Sequence, residues 1–188
     1  TFSGFEAITG SALKDVIYTG ATAATVTGGA GADVITLGAA NAVVDRVVQA
    51  AVGDSSTFAL GSTTTNSVSI AGFDVVRNFA AGDVLQLAAY TGTAAGTAAN
   101  QVLVNSVGTA NTVATTSGPT LADNTVVAIR GDIVNGNFVG SATGADLAIV
   151  YDGNATTTTQ AYEAVILVGC GALTATVTAG TGGLLAFA

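Results

Sequence analysis

The sequence predicts an all-β protein: a short calcium-binding parallel β-roll, capped by further β-strands in a sandwich-like arrangement. Three observations carry that reading. Val, Ile and Thr recur in short runs with Gly, Asn and Asp between them, and apolar residues at helical spacing persist only briefly. Residues 28–36 read Gly-Gly-Ala-Gly-Ala-Asp-Val-Ile-Thr, a full match to the nonapeptide whose stacked copies wind into a calcium-binding parallel roll. The register returns 18 residues earlier, where residues 10–18 read Gly-Ser-Ala-Leu-Lys-Asp-Val-Ile-Tyr, so that Asp15 answers Asp33 and Val16-Ile17 answers Val34-Ile35.

Residues 1–50 read as the roll. In the consensus copy, Gly28, Gly29 and Gly31 permit the φ > 0 backbone that turns carbonyl oxygens inward, Asp33 supplies a carboxylate, and Val34-Ile35-Thr36 starts a strand. The earlier copy keeps Gly10 and Asp15. It places Leu13 and Lys14 where the consensus has Gly31 and Ala32, and an ammonium there competes with a bound cation. The nonapeptide between them, residues 19–27, carries Ala24 at the aspartate position, so the opposite edge lacks a carboxylate. One calcium site, or two, is expected rather than a long ladder. Residues 42–48 continue the strand character, and a Gly/Ser/Thr-rich loop is expected over 53–66.

Residues 51–188 read as a β-rich cap continuing the same domain. Strands are expected at 67–70, 73–79, 102–104, 125–130, 147–151, 162–168 and 173–177, with an Ala/Gly/Thr segment over 91–100 and a turn at Gly118-Pro119. Parallel rolls leave an open edge at each end that recruits other chains unless covered, which gives such a cap a purpose.

On these motifs the chain resembles the C-terminal region of the repeats-in-toxin proteins of type I secretion, as in serralysin-like proteases and calcium-dependent surface-layer proteins. A second stretch, residues 73–87, is similar to the Asp-x-Ile-x-Asp-Phe-x-x-Gly-x-Asp-x-Ile-x-Leu segment that follows the last repeat in that family, with Asn78 and Gln86 where acids are usual. The resemblance implies Asp74 and Asp83 as further ligand candidates. Residues 145–154 and 164–169 are similar to the penultimate strand, turn and partner strand of the same region. It also implies Ca2+ as cofactor, export through type I secretion machinery and an extracellular or cell-surface location. The apolar tail at 182–188 reads either as an uncleaved secretion signal or as a final strand packed on the roll.

Composition narrows the chemistry further. Twelve acids against four basic residues give a net charge of -8, which repels nucleic acid and anionic lipid and makes cations the natural counter-species. Asp54, Asp83, Asp132 and Asp152 sit in turn-like contexts that could gain stability from calcium, and read first as turn residues capping their own backbone. With no His, no Met and one Cys, the chain offers no Ser-His or Cys-His pair and no ordinary zinc or haem ligand set, so a non-enzyme is expected. Cys170 has no internal partner, which leaves burial at a strand end or a disulfide between chains. No run of eighteen apolar residues encodes a membrane-spanning helix.

The expected function is a non-catalytic, calcium-dependent structural module of an exported bacterial surface protein, an S-layer or biofilm-matrix component. Its partners would be copies of itself, in a homo-oligomer or lattice. The alternative is the secretion and folding module of a larger type I secreted enzyme. A third reading, an ice- or polysaccharide-binding solenoid, rests on the alternating threonines at 174–178 and lacks recurrence at the roll period.

Overall fold

Among the residues described by this computed structural model (5–39, 43–51, 54, 69–70, 72–87, 126–141, 143–152, 162–173, 175–178 and 183–187) every regular element is a β-strand. The loop expected over 53–66 apart from Asp54, the segment 91–100, the strand at 102–104 and the turn at Pro119 lie outside these residues. The first strands are short because Gly, Asp or Asn soon interrupts each apolar run. They are β1 (Ala7–Thr9), β2 (Val16–Tyr18), β3 (Thr25–Thr27), β4 (Val34–Thr36), β5 (Arg46–Gln49), β6 (Ser69–Ile70), β7 (Asp74–Arg77) and β8 (Val84–Leu87).

Leaving β6 aside, successive strands alternate between two sheets. β1, β3, β5 and β8 pair in parallel in one sheet, and β2, β4 and β7 pair in parallel in the other. The rest of the chain completes both sheets. β9 (Val126–Val134), β10 (Asn137–Gly140), β11 (Asp146–Asp152) and β12 (Tyr162–Leu167) continue the second, with β12 parallel to β7 and the others antiparallel to their neighbours. β13 (Ala175–Thr178) and β14 (Leu184–Phe187) close the first, β14 lying antiparallel on β8. The strand orders are β1-β3-β5-β8-β14-β13 and β2-β4-β7-β12-β11-β9-β10-β6. The expected all-β class, with two sheets in a sandwich-like arrangement, is what the chain forms.

Register puts one inward residue of each strand into a column. Ile8, Val26, Val47, Leu85 and Leu185 stack across the first sheet, and Ile17, Ile35, Val76, Leu167 and Leu147 stack across the second. These columns meet in one apolar core. Burial of each such side chain contributes roughly 1.5–3 kcal/mol, which offsets part of the backbone entropy of ordering strands only three or four residues long. β11 and β12 are buried on both faces. Leu147, Ile149 and Tyr151 enter the main core, while Ala148 and Val150 join Phe73, Ile129, Phe138, Ala164 and Ile166 in a second cluster. That is why residues 147–151 and 164–168 read as unbroken apolar runs rather than as alternating ones.

Two boundaries differ from expectation, and one of the two readings of the apolar tail is realised. The strand expected to end at Arg130 continues to Val134 and turns into β10 through Asn135 (φ 51) and Gly136 (φ 80), the two positive-φ residues that a tight hairpin's twist requires. The strand expected over 73–79 stops at Arg77. Asn78 adopts φ 59 there, and its Nδ2 donates to the Leu37 carbonyl at 3.0 Å, turning the chain toward the first sheet. Residues 184–187 of the apolar tail form a strand between β8 and β13.

Candidate metal centre

Each circuit of the parallel half approaches its second-sheet strand through an aspartate. Asp15 precedes β2, Asp33 precedes β4 and Asp74 opens β7, so register stacks the three on one edge. One oxygen of Asp33 and one of Asp74 tie their circuits to the one before: the Asp15 amide donates to Asp33 Oδ1 at 2.8 Å, and the Asp33 amide to Asp74 Oδ1 at 2.8 Å. The opposite edge repeats the device. Ala24 donates its amide to Asp45 Oδ1 at 2.8 Å, and Asp45 donates to Asp83 Oδ1 at 2.9 Å. Asp83 is therefore on the far edge from Asp15, Asp33 and Asp74. These charge-assisted bonds satisfy backbone amides at turns, where a buried donor without an acceptor would cost about 1–3 kcal/mol.

The second carboxylate oxygen separates the three circuits. Asp15 Oδ2 accepts from both the amide and the hydroxyl of Ser11, the latter at 2.8 Å. Asp74 Oδ2 accepts from the Gln49 side-chain amide at 2.8 Å. Asp83 Oδ2, on the far edge, accepts from the Ala80 amide at 2.8 Å. Asp33 Oδ2 is buried with no hydrogen-bond partner. Unpartnered buried carboxylate oxygen is costly, and most such atoms in folded proteins are paired.

Local backbone explains this exception. Gly29 and Gly31 hold φ 93 and φ 133, conformations that side-chain-bearing residues rarely adopt. They lie directly on the preceding turn: a Cβ on Gly31 would sit 3.0 Å from the Leu13 carbonyl carbon, and one on Gly29 would collide with the Ser11 carbonyl. A Cβ on Gly28 would collide with Asp33 Oδ2 itself, so that glycine leaves the space the oxygen occupies. The Gly31 amide is turned to the next circuit and donates to the Asp54 carbonyl at 3.0 Å. Asp54 closes its own turn through Oδ2, which accepts from the amides of Ala50 and Ala51.

Charge gathers at this edge. Burial, and then the charges of Asp15 and Asp54, push the Asp33 carboxyl above its ordinary value. Burial raises Asp74 to about 7, with Asp33 and Asp54 adding to the effect. The Ser11 amide and hydroxyl hold Asp15 below the usual carboxylate range. A cation at Asp33 Oδ2 would relieve both the missing hydrogen bond and the mutual repulsion. The orphaned oxygen and the glycine-lined space thus fit a hard cation that prefers oxygen ligands. Among the described residues no three Asp, Glu or Cys side chains converge, so main-chain carbonyls of the turn at 28–33 would have to supply further ligands.

Several contributors carry no local sequence signal. Ser11 and Gln49 decide which aspartates are closed. Behind Gln49 stands the Tyr151 hydroxyl, 3.5 Å from its Oε1 and donating to Glu163 Oε2 at 3.0 Å, all four side chains from Asp74 to Glu163 lying in the interior. Cys170 is buried, with its Sγ 3.3 Å from the Phe79 carbonyl, and burial pushes its thiol up to about 11. Compared with known proteins, the chain matches no family model, no curated protein and no solved structure.

Proposed function

We propose that this chain is a non-catalytic, calcium-dependent structural module, its parallel half a β-roll, belonging to an exported bacterial surface protein and assembling with copies of itself. One observation carries the calcium reading: Asp33 Oδ2, buried and unpartnered beside the glycine turn at 28–33. Asp33 is the side-chain ligand, and Gly28, Gly29 and Gly31 supply main-chain oxygens. Asp15, Asp74 and Asp83 serve instead as backbone caps, since protein donors already occupy both carboxylate oxygens of each of the latter two, and Ser11 closes Oδ2 of the first.

Extracellular modules bind calcium at about 10⁻⁴–10⁻³ M, so an exported chain would fold on reaching a calcium-rich exterior. Type I export fits that sequence of events. Self-assembly draws support from the open end of the stack. β1 and β2 each end a sheet on the same side, and Leu13, Val16 and Tyr18 stand 75%, 58% and 71% exposed there. Short unpaired edge strands with apolar side chains are templates for further pairing.

A calcium titration followed by far-UV circular dichroism and light scattering tests both parts. β signal and particle mass rising together support the reading. A folded monomer at several millimolar calcium removes self-assembly and leaves a secretion and folding tail, and no response in either signal removes calcium. Asp33→Ala should abolish the response, whereas Asp15→Ala should weaken it less.

A further inference from the structure

Resting on that calcium reading, we propose that the Gln49 side-chain amide takes at Asp74 the place that a calcium ion takes at Asp33, so that the third circuit of the stack is closed to metal from within. β3 and β5 pair with Thr27 opposite Val48, so one step further Gly28 and Gln49 share a column. Asp33 and Asp74 share the aspartate column, joined by the Asp33 amide. In the second circuit the column holds a glycine, and the aspartate's Oδ2 is left open over it. One circuit on, the column holds a glutamine whose Nε2 donates to Asp74 Oδ2 at 2.8 Å.

A carboxylate oxygen in that interior position needs a positive partner, and an amide N–H is the neutral alternative to a cation. At the other end of the amide the Tyr151 hydroxyl stands 3.5 Å from Oε1, with its proton donated to Glu163. Gln49 is 1% exposed and Asp74 is fully buried, so neither group is paired with bulk solvent. An amide also differs from an ion in its consequence. It comes with the chain, so the third circuit and the antiparallel half behind it can be ordered before calcium arrives, while the second circuit waits for the ion.

The experiment counts calcium ions per chain by competition with a chromophoric chelator, with circular dichroism checking that each variant is folded at saturating calcium. Asp33→Asn, which keeps the acceptor for the Asp15 amide, should lower the count by one. Asp74→Asn should leave the count of ions at saturation unchanged, because a glutamine can turn its amide to match an asparagine. Gln49→Gly, reproducing the column as it stands at Gly28, and Gln49→Glu, setting a second carboxylate against Asp74, should each raise the count by one. Loss of an ion in Asp74→Asn, or an unchanged count in a folded Gln49→Gly or Gln49→Glu protein, overturns the substitution of amide for ion while calcium binding at Asp33 stands. Absence of calcium binding by the parent chain removes the calcium reading, and this inference with it.

Discussion

Replacing Asp74 with Asn should flatten the pH dependence of the calcium-free protein. Asp74 is raised from 3.8 to about 7, chiefly by burial and then by the charges of Asp33 and Asp54. Between those two values the folded chain holds a proton that the unfolded chain has lost. Stability from this group is therefore complete below pH 3.8 and falls as pH rises through 7. A carboxyl raised that far contributes about 4 kcal/mol in all, of which about 2.5 kcal/mol is lost between pH 5 and pH 8. Asp33 and Asp45, also raised by burial, add losses of the same sign. Asparagine keeps an acceptor for the Asp33 amide and removes the titration, and Gln49 can rotate its amide to accept from the new Nδ2. The assay is urea unfolding in chelator at pH 5 and pH 8. With a slope of about 1–3 kcal/mol per molar, the parent midpoint should drop by roughly 1 M and the Asn variant by clearly less. A parent midpoint that is level or rises between these pH values, or an Asn variant that falls as far as the parent, would rule out Asp74 as the source of the pH dependence. Saturating calcium should shrink the parent's loss too, since a cation at Asp33 favours the ionised form of its neighbour.

Other consequences are open to similar tests. Gly28→Ala should reduce calcium affinity by at least tenfold in the chelator titration, because its methyl group would occupy the position of Asp33 Oδ2. Ser11→Gly restores the glycine pair of the consensus turn but removes only the hydroxyl from Asp15 Oδ2, the amide of residue 11 still donating to it, so the apo midpoint should fall while the ion count stays that of the parent. Ile35→Ala, in the middle of the second-sheet column and fully buried, should cost about 2–5 kcal/mol in urea without altering the number of ions bound at saturation. Cys170 should resist a water-soluble thiol reagent in the native protein and react in urea, as burial and a thiol raised to about 11 both require.

Repetition made part of this protein legible from residues alone. The 18-residue offset between Asp15 and Asp33 predicts that Val16-Ile17 lies beside Val34-Ile35, and the strands pair in that register. It does so because turn and strand lengths are equal in the two circuits and side chains alternate strictly, so one offset sets both the aspartate column and the apolar column. The third circuit breaks the count. Asp45 follows Ala24 by 21 residues rather than 18, and Asp74 follows Asp33 by 41. A fixed period therefore loses Gln49 as the counterpart of Gly28. The Asn135-Gly136 turn was readable from its dipeptide chemistry alone, although the expected strand ended before it.

Composition, turn chemistry and period thus determined the all-β class, the glycine turn and Asp33 as the residue to examine, because each depends on neighbours a few positions away. Only the tertiary structure decided which aspartates remain open. Whether a carboxylate's second oxygen meets Ser11, Gln49 or nothing depends on what register carries into its column, and the Tyr151 hydroxyl that stands beside Gln49 comes from 102 residues further along the chain. Contacts over such distances are set by how strands stack in the core, which leaves no local pattern for a sequence to display.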